Sequence, residues 1–147
     1  MLEIRNQLRL ISYWTRLKFD LADEYYENAG YKDYDSHLRG INFDEPVGVI
    51  NIPKSVKLYQ YSYLDRVTGQ PKIGSYFYSD TAFDVNKLGF EVNNRKMIEL
   101  EINQPDTFLK SKAADIEDWN GSGDVFSGGE TQLFNPNVSF LNIEVLQ

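Results

Sequence analysis

The apolar residues of this chain change their spacing once, near Pro46, and that change restricts the fold more than any other feature. Before it, Ile4, Leu8, Ile11, Trp14, Leu17, Leu21 and Tyr25 recur every three or four residues, which aligns them as one stripe on a helix over residues 2–28. Gly30 fits a left-handed helix stop. The stripe is expected to pack against this domain's own sheet, docking on a partner or an upstream domain being the alternative. Beyond Pro46 the texture is that of strands, predicted at 47–52, 56–63, 75–78, 96–102, 131–134 and 138–146. The connection at 31–46 holds a short helical turn around 36–38, a loop is expected at 65–71, and a helical segment around 106–118 interrupts the strands, with Ala113 and Ala114 suited to close packing. No βαβ rhythm and no repeat is present, so the expected class is α+β: an N-terminal amphipathic helix followed by a compact, mostly antiparallel β core.

At 147 residues the chain is expected to form a single domain, residues 1–30 giving the helix and 37–147 the β-rich core. The absence of cysteine excludes a disulfide framework, a thiolate nucleophile and a Cys-based zinc site, and one histidine cannot form a His cluster, so no metal site is expected. The net charge of −7 should repel phosphate backbones, which argues against a nucleic-acid partner. No 18-residue apolar run and no apolar segment behind a basic start is present, so neither a membrane span nor a signal peptide is expected, and export would use a signal carried elsewhere.

The stretch at 118–134, DWNGSGDVFSGGETQLF, packs four glycines among residues capable of chemistry. Gly128 and Gly129 can let a ligand approach the backbone. If Glu130 opens the strand that follows, Glu130 and Gln132 share a face two residues apart. A hairpin connection with polar residues toward solvent accounts for the same pattern.

Known phosphate-loop, dinucleotide, zinc-protease and nucleophile-elbow motifs are absent. What remains are three polar segments: Tyr59-Gln60-Tyr61 with Asp65-Arg66, then GSYFYS at 74–79, then GGETQ at 128–132. Together they could line a cleft for a nucleotide, an arginine facing the pyrophosphate, aromatic rings covering a base, and glycines allowing close approach. Taken singly, Arg66 reads rather as a solvated charge, and Tyr76 with Phe77 rather as strand core. His37, the sole imidazole, has no recognisable partner in the sequence and is read as structural.

In this order the three segments resemble the ADP-ribosyltransferase-like fold, in particular its NAD-cleaving toxin branch: the tuberculosis necrotizing toxin group and C-terminal domains of bacterial polymorphic toxins. GGETQ is similar to that branch's GGxTQ, and GSYFYS to its G-x-aromatic-aromatic-Ser segment. The run HLRGINFDEPVGVINIPKSVKLYQYSY at 37–63 resembles the run before the site in contact-dependent growth-inhibition toxins. The sequence departs from the transferases in carrying Gln60 where they have arginine, and Glu130-Thr131-Gln132 where they end in Glu-x-Glu. The resemblance implies a secreted effector domain acting in a target cell's cytoplasm, where it cleaves the nicotinamide N-glycosidic bond of NAD⁺ or NADP⁺ as a glycohydrolase or ADP-ribosyl cyclase. It implies catalytic roles for Gln132, Glu130 and Arg66, and substrate contacts from Gln60, Ser75, Tyr76, Phe77, Ser79, Trp119, Gly128, Gly129 and Thr131. It also implies a cognate immunity protein as partner, and no bound cofactor beyond the NAD(P)⁺ substrate. The alternatives are a mono-ADP-ribosyltransferase toxin of the same fold and a non-enzymatic immunity or binding protein.

Overall fold

Helix α1 (Tyr13–Asn28) is the first described element of a computed structural model that describes residues 13–32, 34–79, 85–89, 94–117 and 125–146. It ends at Gly30 (φ 71°), where the Gly30 amide donates to the Glu27 carbonyl and the Tyr31 amide to that of Tyr26. This is the paired bonding by which a left-handed glycine satisfies the last carbonyls of a helix.

The buried face of α1 is Thr15, Phe19, Ala22, Tyr25 and Tyr26; of the stripe expected at Trp14, Leu17, Leu21 and Tyr25, Tyr25 is buried and the others lie about one position round from that face. Trp14 is 71% exposed and Leu17 41%. The helix carries apolar residues on two adjoining faces, and spacing does not distinguish them. Ala22, with no exposed surface, lets the backbone approach the sheet closely. Ile4, Leu8 and Ile11 lie outside the described residues. Helix α2 (Asp35–Arg39) falls where the short turn was expected, tied to α1 by the Tyr34 hydroxyl donating to Asp23 Oδ1 at 2.6 Å.

Two four-stranded sheets follow. One has the order β1 (Gly48–Ile52), β6 (Asp106–Lys112), β9 (Thr131–Phe134), β4 (Tyr76–Phe77); the other β10 (Glu144–Val145), β5 (Arg95–Glu101), β2 (Lys57–Leu64), β3 (Pro71–Lys72). A short ribbon pairs β7 (Ile116–Glu117) with β8 (Val125–Phe126). Every strand pairing among the described residues is antiparallel, and helices beside antiparallel sheets make the class α+β. Tyr59 and Tyr78 exchange two 2.8 Å backbone hydrogen bonds, joining β2 of one sheet to the end of β4 in the other. None of the described helices is long and apolar enough to cross a membrane.

The segment expected to be helical at 106–118 is instead strand β6 and then β7. Its adjacent Phe108 and Leu109 are both fully buried, on opposite faces of the sheet. Phe108 enters the core with Leu58, Phe77, Ile98, Leu100 and Leu133, while Leu109 joins Phe19, Tyr26, Leu38 and Phe134 under α1. A strand covered on both faces loses its alternation, which is why DTFLKSK misleads. The strand expected at 138–146 begins as a short helix, α3 (Val138–Leu141), ended by left-handed Asn142 (φ 48°), and only β10 pairs with β5. In the turn before that helix, Asn135 Oδ1 accepts the Asn137 amide at 2.7 Å.

Candidate functional site

Where α2, β2, the 74–78 segment and the start of β5 meet, the fold leaves a cleft of about 470 Å³. Segments far apart in sequence supply its walls, including His37, Gln60, Tyr76, Tyr78, Arg95 and Gln132.

Gln60 is 3% exposed and its carboxamide is fully engaged. The nitrogen donates to the carbonyls of Gly74 (3.0 Å) and Tyr76 (2.7 Å), while the oxygen accepts the Gly74 amide (2.9 Å) and the Ser62 hydroxyl. Two donors and two acceptor sites are all that a carboxamide has. Gln60 therefore holds the GSYFYS segment against β2 and keeps no hydrogen-bonding capacity for a ligand.

Gln132, on β9, is 5% exposed. Its nitrogen donates to the Gly40 carbonyl at 3.1 Å and to Ser111 Oγ at 3.2 Å. A carbonyl can only accept, so the nitrogen must face Gly40 and the carboxamide oxygen is directed elsewhere. That oxygen accepts no hydrogen bond from a described residue. Gln132 thus offers the cleft an oriented acceptor.

Arg95 opens β5 opposite Tyr63 of β2. Its guanidinium lies 4.2 Å from the centre of the Tyr63 ring and donates to the Tyr61 carbonyl at 3.4 Å. A cation stacked on an aromatic face is held in place and suits an anionic oxygen pair.

His37 sits between two tyrosines, Nε2 at 2.9 Å from the Tyr31 hydroxyl and Nδ1 at 2.7 Å from that of Tyr76. Burial lowers its pKa from the ordinary 6.5, which favours the neutral ring. The hydroxyls of Tyr76 and Tyr78 are pushed above the usual tyrosine range, burial being the largest cause for both. At Tyr78, Arg95 pulls the other way and Glu130 adds to the rise.

The structure brings together four of the residues expected at a site: Gln60, Ser75, Tyr76 and Gln132 all line the cleft. The others lie elsewhere. Arg66 stands exposed in the turn between β2 and β3, where Asp65 Oδ1 accepts the amides of Val67 and Thr68. Phe77 has no exposed surface and packs on Phe108 in the core between the sheets. Ser79, Glu130 and Thr131 line a separate hollow of about 450 Å³ together with Lys57 and Lys110. Glu130 and Gln132 do not share a face as expected, because Glu130 lies on a bend before β9, its amide donating to the Lys87 carbonyl. Trp119 lies outside the described residues.

The paired glycines have a reason other than ligand approach. A Cβ on Gly128 would lie 2.3 Å from the Ala113 carbonyl oxygen, and Gly129 (φ 117°) donates its amide to that same oxygen at 2.7 Å. Gly89 (φ 77°) presses on Ala114 from another side, its Cβ position 2.8 Å from that carbonyl oxygen. The close packing expected of Ala113 and Ala114 is real, and glycine backbones provide it.

Arg95 carries no local sequence signal, since what places it in the cleft is the register of β2 on β5, and Tyr78, within GSYFYS, is brought there by its bridge to Tyr59. The tyrosine partners of His37 are six and 39 residues away, and nothing local marks them as partners.

The fold is that of an α+β domain with two antiparallel sheets and a mostly apolar cleft into which a few polar side chains are set. No family model matches the chain, and no curated protein matches it. Among solved structures, it superposes on a chain from the structure of Tse6 in complex with Tsi6, with a TM-score of 0.73 over 93% of this chain and 99% of that one. The two are 19% identical in sequence, so the likeness is one of fold.

Proposed function

We propose that this chain is a toxin domain of the ADP-ribosyltransferase-like fold that cleaves NAD⁺ or NADP⁺ at the nicotinamide N-glycosidic bond, releasing ADP-ribose or its cyclic form. The supporting observation is convergence: Gln60, the Gly74–Tyr76 segment and Gln132, drawn from the three segments on which the sequence resemblance rests, line one cleft.

The geometry suits the chemistry. As the bond to nicotinamide breaks, positive charge develops at the ribose anomeric carbon, and nicotinamide leaves as a neutral base needing no proton. The Gln132 oxygen, held by the bonds of its nitrogen, would accept a hydrogen bond from a ribose hydroxyl or from the attacking water and place its dipole toward that charge. Arg95, in place of Arg66, would hold the diphosphate, and the rings of Tyr76 and Tyr61 give flat walls for the nicotinamide. Glu130 takes no part, since it faces the other hollow.

The structural neighbour comes from a complex of two proteins, which is compatible with a protein partner here. In this reading that partner is a cognate immunity protein, and the domain acts in a target cell's cytoplasm as part of a larger secreted effector. The test is to incubate purified protein with NAD⁺ and no protein acceptor, following nicotinamide and ADP-ribose by chromatography. Stoichiometric release of both supports hydrolysis. ADP-ribose that appears only on an added protein would make it a transferase, and no consumption by folded protein would remove the reading.

A further inference from the structure

One turn of α2 touches two of the polar side chains that face the cleft. His37 binds the Tyr76 hydroxyl, and three residues on, the Gly40 carbonyl holds the Gln132 nitrogen. Tyr76 belongs to the GSYFYS segment and Gln132 to GGETQ, so α2 bridges two segments whose strands, β4 and β9, also pair with each other.

The imidazole packs among four aromatic rings. Its ring centre lies 5.1 Å from that of Phe134, 5.0 Å from Tyr31, 5.7 Å from Tyr76 in a stacked arrangement, and 6.0 Å from Tyr26. A neutral imidazole has one N–H and one bare nitrogen, so it donates to one tyrosine hydroxyl and accepts from the other. The chain Tyr31–His37–Tyr76 therefore runs in one direction at a time, and the tautomer of His37 decides whether the Tyr76 hydroxyl donates or accepts.

We propose that Tyr31, His37 and Tyr76 form a hydrogen-bonded relay that fixes the orientation of the Tyr76 hydroxyl at the cleft wall, which makes His37 a positioning residue for the ligand surface. The reading of His37 as merely structural is thereby replaced. Only the kinetic arm of the test rests on the proposed NAD⁺ cleavage.

His37 is the only histidine, so ¹⁵N-labelled imidazole gives one pair of resonances to follow. The relay predicts a single tautomer near neutral pH and a displaced Nδ1 resonance in Tyr76→Phe, which deletes one hydroxyl and keeps the ring. The ordinary mixture of tautomers, or an Nδ1 resonance indifferent to Tyr76→Phe, would overturn it. For turnover, His37→Phe and Tyr76→Phe should each lower kcat about tenfold, and the double variant should lose no more than either alone, as expected of residues acting as a unit. His37→Asn, whose amide reaches roughly the Nδ1 position, should recover activity to within about threefold of the original. Independent losses that multiply to about a hundredfold, with no recovery by asparagine, would mean that His37 only supports the fold. Should the unaltered protein release no nicotinamide, the proposed activity fails while the resonances still decide whether the relay exists.

Discussion

Gln60 and Gln132 line the same cleft, nearly as buried as each other, yet one has spent its whole carboxamide on the protein and the other has spent half. Gln60 clamps the backbone at Gly74 and Tyr76. Gln132 uses only its nitrogen, on Gly40 and Ser111. Residue type and burial therefore do not identify a ligand-binding group; the count of hydrogen-bonding positions still open does. The same contrast separates the glycines. Gly128 is pressed against the Ala113–Ala114 backbone, whereas a Cβ on Gly74 would meet only the Gln60 Nε2 at 3.9 Å.

The largest effect expected is at Gly128. Gly128→Ala places a methyl where a backbone oxygen stands and should cost about 3 kcal/mol or more in denaturant unfolding, whereas Gly74→Ala should stay within about 1 kcal/mol. Equal losses would mean that the glycine pair does not serve packing. Next is Gln60→Ala, which strands two carbonyls, an amide and a hydroxyl, and should lower stability by about 3 kcal/mol while leaving kcat of the folded fraction within about threefold. A hundredfold fall in kcat with stability intact would give Gln60 the direct role that its bonding denies.

Smaller effects separate the two arginines. Arg95→Ala should raise KM for NAD⁺ about tenfold, and Arg66→Ala should leave it within about twofold; the reverse result would return the diphosphate to the turn between β2 and β3. The smallest is at the helix. With Trp14 71% exposed, Trp14→Ala should cost under about 1 kcal/mol. A loss of about 3 kcal/mol would restore the stripe read from spacing as the buried face.

Much of this architecture can be read from the sequence where each element has one buried face. Strands β1, β2 and β5, helix α2 and the helix stop at Gly30 fall where patterning puts them, and so does β9, although its Leu133 and Phe134 enter different cores. Two of the failures, at β6 and α1, come from apolar residues on more than one side of the element. Phe108 and Leu109 send β6 into two cores, and α1 bears two apolar faces of which the sheet covers one. Of the candidate site, the glutamines and the Gly74–Tyr76 segment were legible as local motifs. Arg95, and the tyrosine partners of His37, depend on strand register and on where α2 docks, and such long-range pairings leave no local trace.

The account turns on the open oxygen of Gln132. Single-turnover nicotinamide release from NAD⁺ should be compared for the unaltered protein and Gln132→Ala at a temperature where circular dichroism shows both folded. The Gly40 carbonyl keeps the Ala114 amide but loses the Gln132 nitrogen, as does the Ser111 hydroxyl, so the variant should be about 1 to 2 kcal/mol less stable. Within the folded fraction, release should slow by about 10² or more, equal to about 2.7 kcal/mol of transition-state stabilisation. Release at the unaltered rate from folded Gln132→Ala would contradict the central claim and reduce Gln132, like Gln60, to a brace between backbone segments.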